Sequence, residues 1–282
     1  MSSTTRESPT SAIRIRSLRL LKLRRPSFAL SKWRWLEIVF PLLVIAWIWF
    51  ASLDSSTFYL PSMPKIVEAF ADAWLFDHVI TDLVPSLARL ALGFFIGAIL
   101  GAFLGYLFGM SDTAYRIYSP VVEFCRSLPA PAVLPVFMLV LGIGSQTQVA
   151  LIAFGTIWPV LISTFGGVRS IDATNIDTAR SLRLSPSDRF FRIIVPASAP
   201  QLFAGMKTSL SIGIILMVIS EMIGSANGIG YFVIRTQREF DMPGMWAGII
   251  LLGILGYVLN ALFDLVENKV LAWYHGSKGR AS

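Results

Sequence analysis

The side chains that most often perform catalysis or bind metals are scarce and widely separated in this chain. Its 282 residues include two histidines, His78 and His275, and one cysteine, Cys125. A single cysteine excludes an internal disulfide and a multi-cysteine metal site, and two distant histidines suggest no metal cluster. Glu221 stands out because it lies within a long apolar stretch, where a charge usually faces a cavity or a partner. We therefore expect neither a catalytic residue nor a bound metal.

The segment 177–196 has the residues of a docking surface. Ser185 is a good N-cap, Pro186 fits the first helical position, and the acidic Asp188 lies beside the positive end of the helix that follows. The pattern predicts two short helices separated by a break. A short amphipathic helix of this kind suits docking into a groove on another protein.

Long apolar helices must position these residues. Hydrophobic residues make up 55% of the chain, charged residues only 15%, and the mean hydropathy is +0.66. An ordinary soluble domain carries about 25% charged residues, and a helix that crosses the hydrocarbon needs about 20 mostly apolar residues. The uncharged runs therefore predict an all-α polytopic membrane protein. Its six predicted transmembrane helices lie at 36–53, 85–109, 129–147, 149–168, 201–223 and 244–264.

The basic residues predict the orientation of these helices. Twenty of the 24 Lys and Arg residues fall on the side that holds both termini, and such residues concentrate on the cytoplasmic side. The prediction is a basic cytoplasmic tail at 1–35, a six-helix domain at 36–268 with a cytoplasmic loop at 169–200, and a cytoplasmic tail at 269–282. Topology thus explains the net charge of +7, and no nucleic-acid partner is expected.

Two segments outside the predicted spans allow more than one interpretation. The N-terminal tail could lie on the anionic inner leaflet between residues 13 and 25, could be a disordered tail, or could be a mitochondrial transit peptide, whose composition it shares. In the segment 54–84, Ser62, Pro64 and Glu68 indicate the start of a helix with one apolar face. That helix could rest on the membrane surface or cover the outer end of the bundle.

The second predicted span carries a glycine at every fourth position, which places the glycines on one helix face. Small residues allow the close backbone approach that packs helices in lipid. The strip indicates tight helix packing. The alternative is a surface along which helices slide in a moving transporter. Its members are Gly93, Gly97, Gly101, Gly105 and Gly109.

Polar residues inside the predicted spans are the candidates for a translocation pathway or a gate. Glu221 could form a gate or pair with Arg235 or Arg238, and an interfacial position is the competing interpretation. Hydroxyl and amide side chains could line a cavity or could bond the preceding helical turn. The polar candidates are Ser209, Ser211, Ser220 and Asn260.

The segment 177–196 resembles the EAA loop of bacterial ABC-importer permeases. Asp177, Thr178 and Ala179 fall on the opening triplet of that motif, and Ile193, Val195 and Pro196 fall on its closing positions. Arg183 stands where the family has glycine, which removes an easy left-handed turn. The rest of the chain, apart from the tail at 1–35, is similar to the taurine, sulfonate, nitrate and bicarbonate branch. This similarity rests on Ser127-Leu128-Pro129, Pro131, Leu134-Pro135, Leu141-Gly142-Ile143-Gly144, Trp158-Pro159, Glu221 and Gly228-Ile229-Gly230.

The resemblance implies the MetI-like permease fold of type I ABC importers and a place in the bacterial inner membrane. It implies a homodimer, two ATPase subunits that hold ATP and Mg, and a periplasmic or lipid-anchored substrate-binding protein. No cofactor is expected on this chain, which has no phosphate-binding loop of the Gly-x-x-x-x-Gly-Lys-Ser/Thr type. The resemblance assigns ATPase coupling to Asp177, Thr178, Ala179, Arg180, Ser181, Leu182, Arg183, Leu184, Ser185 and Pro186.

Two other functions are weighed against this resemblance. A self-contained secondary transporter would need coupling-ion residues in mid-membrane, and an intramembrane enzyme would need paired carboxylates or a histidine set within the spans. Apart from Glu221, the spans offer almost none of these residues. A small anion is the expected substrate class, with taurine, alkanesulfonates, nitrate, bicarbonate, aromatic acids and vitamin precursors all open.

Overall fold

The computed structural model describes residues 30–53 and 57–274, and within these ranges every regular element is helical. The chain divides into two compact units, Met1–Phe50 and Ala51–Ser282. Helix α1 (Leu30–Leu53) accounts for the described part of the first unit and for the start of the second. The predictions for the tail up to residue 29 and for residues 275–282 lie outside the described residues.

The second unit is a bundle of helices. The helices are α2 (Met63–Asp72), α3 (Val84–Met110), α4 (Asp112–Ser127), α5 (Ala130–Leu141), α6 (Ser145–Arg169), α7 (Ala173–Ser181), α8 (Pro186–Arg189), α9 (Val195–Gly224), α10 (Ile229–Arg238) and α11 (Met242–Val270). Wider π-helical turns at Ala73–Asp77 and Val79–Leu83 lead into α3, and a third at Phe190–Ile194 leads into α9.

Four helical stretches of the described chain are long and apolar enough to cross a membrane, or five if the bent pair α4–α5 counts as one span. In α1 the corresponding apolar stretch is the shorter Leu42–Ser52. The all-helical, multi-pass prediction is confirmed at this level. The four stretches are Val79–Met110, Ser145–Arg169, Pro186–Gly224 and Met242–Val270.

The predicted boundary between the third and fourth spans is wrong. The sequence predicts helices at 129–147 and 149–168, whereas α5 ends at Leu141 and α6 begins at Ser145. Gly142 and Gly144 have φ angles of +80° and +144°, which end the first helix because residues with a Cβ rarely adopt them. Helix α5 is therefore only 12 residues long.

The glycine strip of α3 packs against α6 over its whole length. A Cβ added at Gly101 would lie 2.5 Å from the carbonyl oxygen of Ile157, and one at Gly105 would lie 2.6 Å from the Cβ of Thr164. Each glycine faces a β-branched side chain of α6, and these also recur every fourth residue, so the two ladders interlock. The facing residues are Ile152, Thr156, Val160, Thr164 and Val168. The structure shows tight packing of α3 against α6 at this strip.

Helix α2 covers one end of the bundle rather than standing apart from it. The helix packs against α11, and Ile66 is 2% exposed. The buried Trp74, in the turn after α2, packs edge-on against Phe232 of α10 at 4.7 Å between ring centroids. Of the two positions that the sequence leaves open for this segment, contact with the bundle is the one observed.

Candidate functional site

The loop at residues 169–200, which we call the coupling loop after its predicted role, begins with a capped helix. The side chain of Asp172 accepts a hydrogen bond from the backbone N–H of Thr174 at 2.8 Å. This hydrogen bond lowers the pKa of Asp172 below its ordinary value, because it favours the ionised form. The carboxylate therefore stays charged at the positive end of α7.

Helix α7 ends in a left-handed turn at Arg183, the residue that replaces the motif glycine. Its φ angle is +52°. The N–H of Leu184 donates to the carbonyl of Ala179 at 3.1 Å, and the N–H of Arg183 donates to the carbonyl of Arg180 at 2.9 Å. These two bonds form a Schellman motif, which glycine usually completes. The departure from the family pattern therefore changes the residue while the turn is kept, at a cost in backbone strain.

Helix α8 starts as the sequence predicts. The hydroxyl of Ser185 accepts from the N–H of Asp188 at 3.1 Å and donates to its carboxylate at 2.7 Å. Pro186 occupies the first turn. The carboxylate of Asp188 also pairs with Arg192 at 3.1 Å. The break between α7 and α8 is thus fixed by local contacts alone.

The outer surface of this loop is open. Leu182 is 69% exposed, whereas Ala179 is 1% exposed and anchors α7. Arg180 pairs with Asp177 at 3.2 Å and is mostly exposed. Beside them lies a cleft of about 400 Å³, whose walls come from α7, α8 and the ends of α3 and α6. The cleft is lined by Gly109, Met110, Val168, Ile171, Ile176, Arg180, Pro186, Arg189, Phe190 and Ile194.

At the other end of α9, Glu221 is fully buried in a network of hydrogen bonds. Its carboxylate accepts from the hydroxyl of Ser86 at 2.7 and 2.9 Å, from the guanidinium of Arg89 at 3.0 Å, and from the N–H of Gly230 at 3.0 Å. We call Ser86, Arg89, Glu221, Asn227 and Gly230 the buried charge network. The bundle encloses the Glu221 side chain completely, since its exposed fraction is 0%, and its depth in the membrane stays a prediction.

The predicted pairing of Glu221 with Arg235 or Arg238 is wrong. Arg235 instead pairs with Glu239 at 3.9 Å and lies over the rings of Tyr231 and Phe232. The partner of Glu221 is Arg89, which lies 132 positions earlier in the chain. The side chain of Arg89 is itself buried.

Arg89 also holds the loop between α9 and α10. Its guanidinium donates to the carbonyl oxygen of Asn227 at 3.1 Å, to the side-chain oxygen of Asn227, and to the hydroxyl of Ser145 at 3.0 Å. At Gly228, whose φ is +118°, an added Cβ would lie 2.5 Å from the carboxyl carbon of Glu221. The network thus joins α3, α6, α9 and α10.

A second buried acid extends these contacts. Asp82 accepts from the N–H of Gly228 at 2.7 Å, and its other oxygen lies 2.8 Å from Nδ1 of His78. Asp82, Ser86 and Arg89 are not among the residues predicted from the sequence. The pairing of Arg89 with Glu221 could have been predicted, because the two residues have opposite charges and both lie within predicted spans.

The other pathway candidates are not gathered at one place. Ser209 is buried and donates to the carbonyl of Thr156 on α6 at 2.7 Å. Ser220 is buried and donates to the carbonyl of Met217 in its own helix at 2.9 Å. Asn260 donates within its own turn, and Ser211 is exposed. Ser209 thus serves helix packing, and a role of these four residues in a pathway stays a prediction.

A large part of the chain matches a known protein family. Residues 93–272 match the family described as "Binding-protein-dependent transport system inner membrane component". This chain belongs to that family. Its matched region contains the glycine strip, the coupling loop and Glu221, and the family assigns the molecule to transport across the inner membrane. The sequence resemblance to importer permeases is confirmed.

Relatives of this family member span most of its length. It is 32% identical over 252 residues to the "Putative aliphatic sulfonates transport permease protein SsuC" of Bacillus subtilis. The alignment covers 88% of this chain and 91% of the relative. It is 28% identical to the "Taurine transport system permease protein TauC" of Escherichia coli, over 86% of this chain and 94% of the relative.

Solved structures show that the fold of this family member is MetI-like. The methionine transporter MetNI in an inward-facing conformation matches with a TM-score of 0.60 and 19% identity, over 74% of this chain and 97% of the matched chain. The all-helical architecture is therefore that of an importer permease.

Proposed function

We propose that this chain is the transmembrane permease subunit of an ATP-driven ABC importer for a small anion. The named relatives transport aliphatic sulfonates, taurine and, for the 30% identical NrtB of Leptolyngbya laminosa, nitrate. These substrates share a small size and an acidic group. A sulfonate, nitrate, bicarbonate or organic acid therefore fits this chain best.

In the working assembly, the chain crosses the inner membrane six times with both termini in the cytoplasm. Two copies form the pathway, and a periplasmic or lipid-anchored binding protein delivers the anion. Two ATPase subunits bind ATP and Mg and supply the energy. The excess of basic residues on the side of the termini supports this orientation.

The exposed coupling loop carries the proposal. Its shape is fixed from within by the Schellman turn at Arg183 and by the cap at Ser185, while Leu182 projects an apolar side chain into solvent. An exposed leucine on a rigid turn, with Arg180 beside it, is suited to a groove on another protein. We propose that the ATPase subunit supplies this groove.

The proposal is tested with the double variant Arg180→Glu and Leu182→Asp in the complete transporter. Both side chains are exposed, so the fold of the permease should be retained. We expect that the ATPase subunit no longer co-purifies with the permease in a pull-down. We also expect that ATP hydrolysis coupled to transport is lost. The matched control is Lys269→Glu with Val270→Asp, which also replaces one basic and one apolar side chain by Glu and Asp, on the exposed end of α11. An intact, ATP-driven complex from the first variant would refute the proposal.

A further inference from the structure

The bend between α4 and α5 lies inside the thickness of the helical bundle. Helix α4 starts beside the end of α6, where Asp112 pairs with Arg169 at 2.6 Å and Tyr115 stacks on Phe165 at 4.8 Å. Farther along α4, Arg126 and Leu161 of α6 line the same cavity. The two helices α4 and α5 meet at an angle of 96°.

Contacts at the start of α5 fix the depth of this bend. An added Cβ at Gly155 would lie 3.6 Å from the Cβ of Ala130. Gly155 is about 15 Å along α6 from Ser145 at 1.5 Å per residue. Helix α6 has 25 residues and is itself a candidate span. The start of α5 therefore lies well within the span.

Charged side chains are exposed on α4 where it approaches this bend. Glu123 and Arg126 pair at 2.6 Å, and their side chains are 59% and 43% exposed. Both line a cavity of about 150 Å³ that Leu161 of α6 also lines. Pro129 and Pro131 have no N–H. The carbonyl of Cys125 accepts from the N–H of Leu128 at 3.3 Å instead, whereas the carbonyl of Ser127 receives no helical hydrogen bond from Pro131.

Such a surface does not suit lipid. Charged side chains within a span almost always face a cavity or the interior of the bundle, and irregular backbone at membrane depth occurs only where it is buried in protein or lines water. Helix α5, at about 18 Å, is also too short to cross about 30 Å of hydrocarbon by itself. Water is the environment that solvates the exposed charges and the carbonyl of Ser127 together.

We propose that the α4–α5 bend lines a water-filled part of the translocation pathway, with Arg126 on its wall. This deepens the proposed function, because an anion in that water meets the guanidinium of Arg126. By contrast, the exposed face of α3 at the same level is apolar: Ile99 is 66% exposed, between Gly97 opposite Thr156 and Gly101 opposite Ile157. That face suits lipid.

Cysteine labelling tests this difference with both positions well inside the span. In the full transporter carrying Cys125→Ser, the chain has no other cysteine, and Ala132→Cys and Ile99→Cys place one thiol on each exposed face. Inside-out vesicles are treated, without nucleotide, with the membrane-impermeant anionic thiol reagent MTSES. We expect Ala132→Cys to react on the order of 100-fold faster than Ile99→Cys, because only the thiolate reacts and it does not form in hydrocarbon.

The native Cys125 provides a second measurement without an added cysteine. It is partly exposed next to Arg126, and it should react with MTSES in the wild-type chain. Arg126→Gln should lower the ratio of the MTSES rate to the rate of the cationic reagent MTSET by about threefold or more, since a nearby charge is lost. An unchanged ratio would contradict the placement of Arg126 on the wall.

Two results would overturn the water-filled pathway. One is that Ala132→Cys reacts as slowly as Ile99→Cys. The other is that Ala132→Cys forms a disulfide between two copies but resists MTSES, which would indicate dry packing. Labelling needs no ATPase activity, so its failure leaves the coupling proposal standing. Failure of the Arg180→Glu and Leu182→Asp test leaves the labelling result standing in turn.

Discussion

The buried charge network and the coupling loop are built from opposite kinds of contact. In the network, Arg89 and Glu221 are 132 positions apart and both are buried. In the coupling loop, the ion pairs Asp177–Arg180 and Asp188–Arg192 join residues three and four positions apart, and the side chains are largely exposed. The network therefore fixes helices relative to one another. The ion pairs of the loop join residues within its own short helices and leave its outer surface free for a partner.

Arg89→Gln should have the largest effect on stability. It leaves the Glu221 carboxylate buried without its cationic partner, and breaking such a pair costs about 3–5 kcal/mol of unfolding free energy. The measurement is denaturant unfolding of the purified permease. Lys269→Gln removes an exposed charge and serves as control. A loss below about 1 kcal/mol, the range of exposed pairs, would contradict the distinction between the two regions.

A double-mutant cycle sharpens this result. Glu221→Gln alone should also destabilise, because it leaves Arg89 with a buried charge. The combined variant should lose less than the sum of the two single losses, since contacting residues couple by about 0.5–3 kcal/mol. Additive losses would mean that the 3.0 Å contact does not carry the effect.

Gly101→Ala should have the next largest effect. The added Cβ would lie 2.5 Å from the carbonyl oxygen of Ile157, so the backbones of α3 and α6 must separate, at about 1–3 kcal/mol. Gly253→Ala on α11 is the control, because nothing lies within 4 Å of its Cβ. The thermal midpoint of the permease should fall for Gly101→Ala only. Equal midpoints would contradict the interlocked packing.

Arg183→Gly should have the smallest effect, confined to the coupling loop. Glycine removes the strain of the positive φ, and the turn should gain about 0.5 kcal/mol. Hydrogen exchange at the N–H of Leu184, which bonds to Ala179, should slow about twofold. Arg183→Ala keeps a Cβ and should leave the exchange rate unchanged. Faster exchange in Arg183→Gly would contradict the assigned turn.

Local features could be predicted from the sequence. The cap at Ser185 depends on residues three positions away, and the glycine strip depends on a spacing of four. Both are confirmed. The facing ladder on α6 follows the same spacing and could have been found in the sequence as well.

Features that depend on distant parts of the chain could not be predicted in the same way. No spacing rule joins Glu221 to Arg89, whereas Arg235 and Arg238 lie within 17 positions of Glu221 in the sequence. The short α5 was missed because hydropathy counts apolar residues, whereas its end depends on the φ angles of Gly142 and Gly144. The hydrogen bond of Ser209 could not be predicted either, because its carbonyl partner lies on another helix.

In the proposed complex, the exposed turn of the coupling loop contacts the ATPase. This contact is tested most directly by Leu182→Cys in the Cys125→Ser background, with a benzophenone photo-cross-linker attached to the thiol in the intact transporter. Val270→Cys, also exposed, is the matched control. We predict a cross-linked product of permease and ATPase subunit from residue 182 and none from residue 270. Absence of that product from residue 182, in a complex that still couples ATP hydrolysis to transport, would contradict the account.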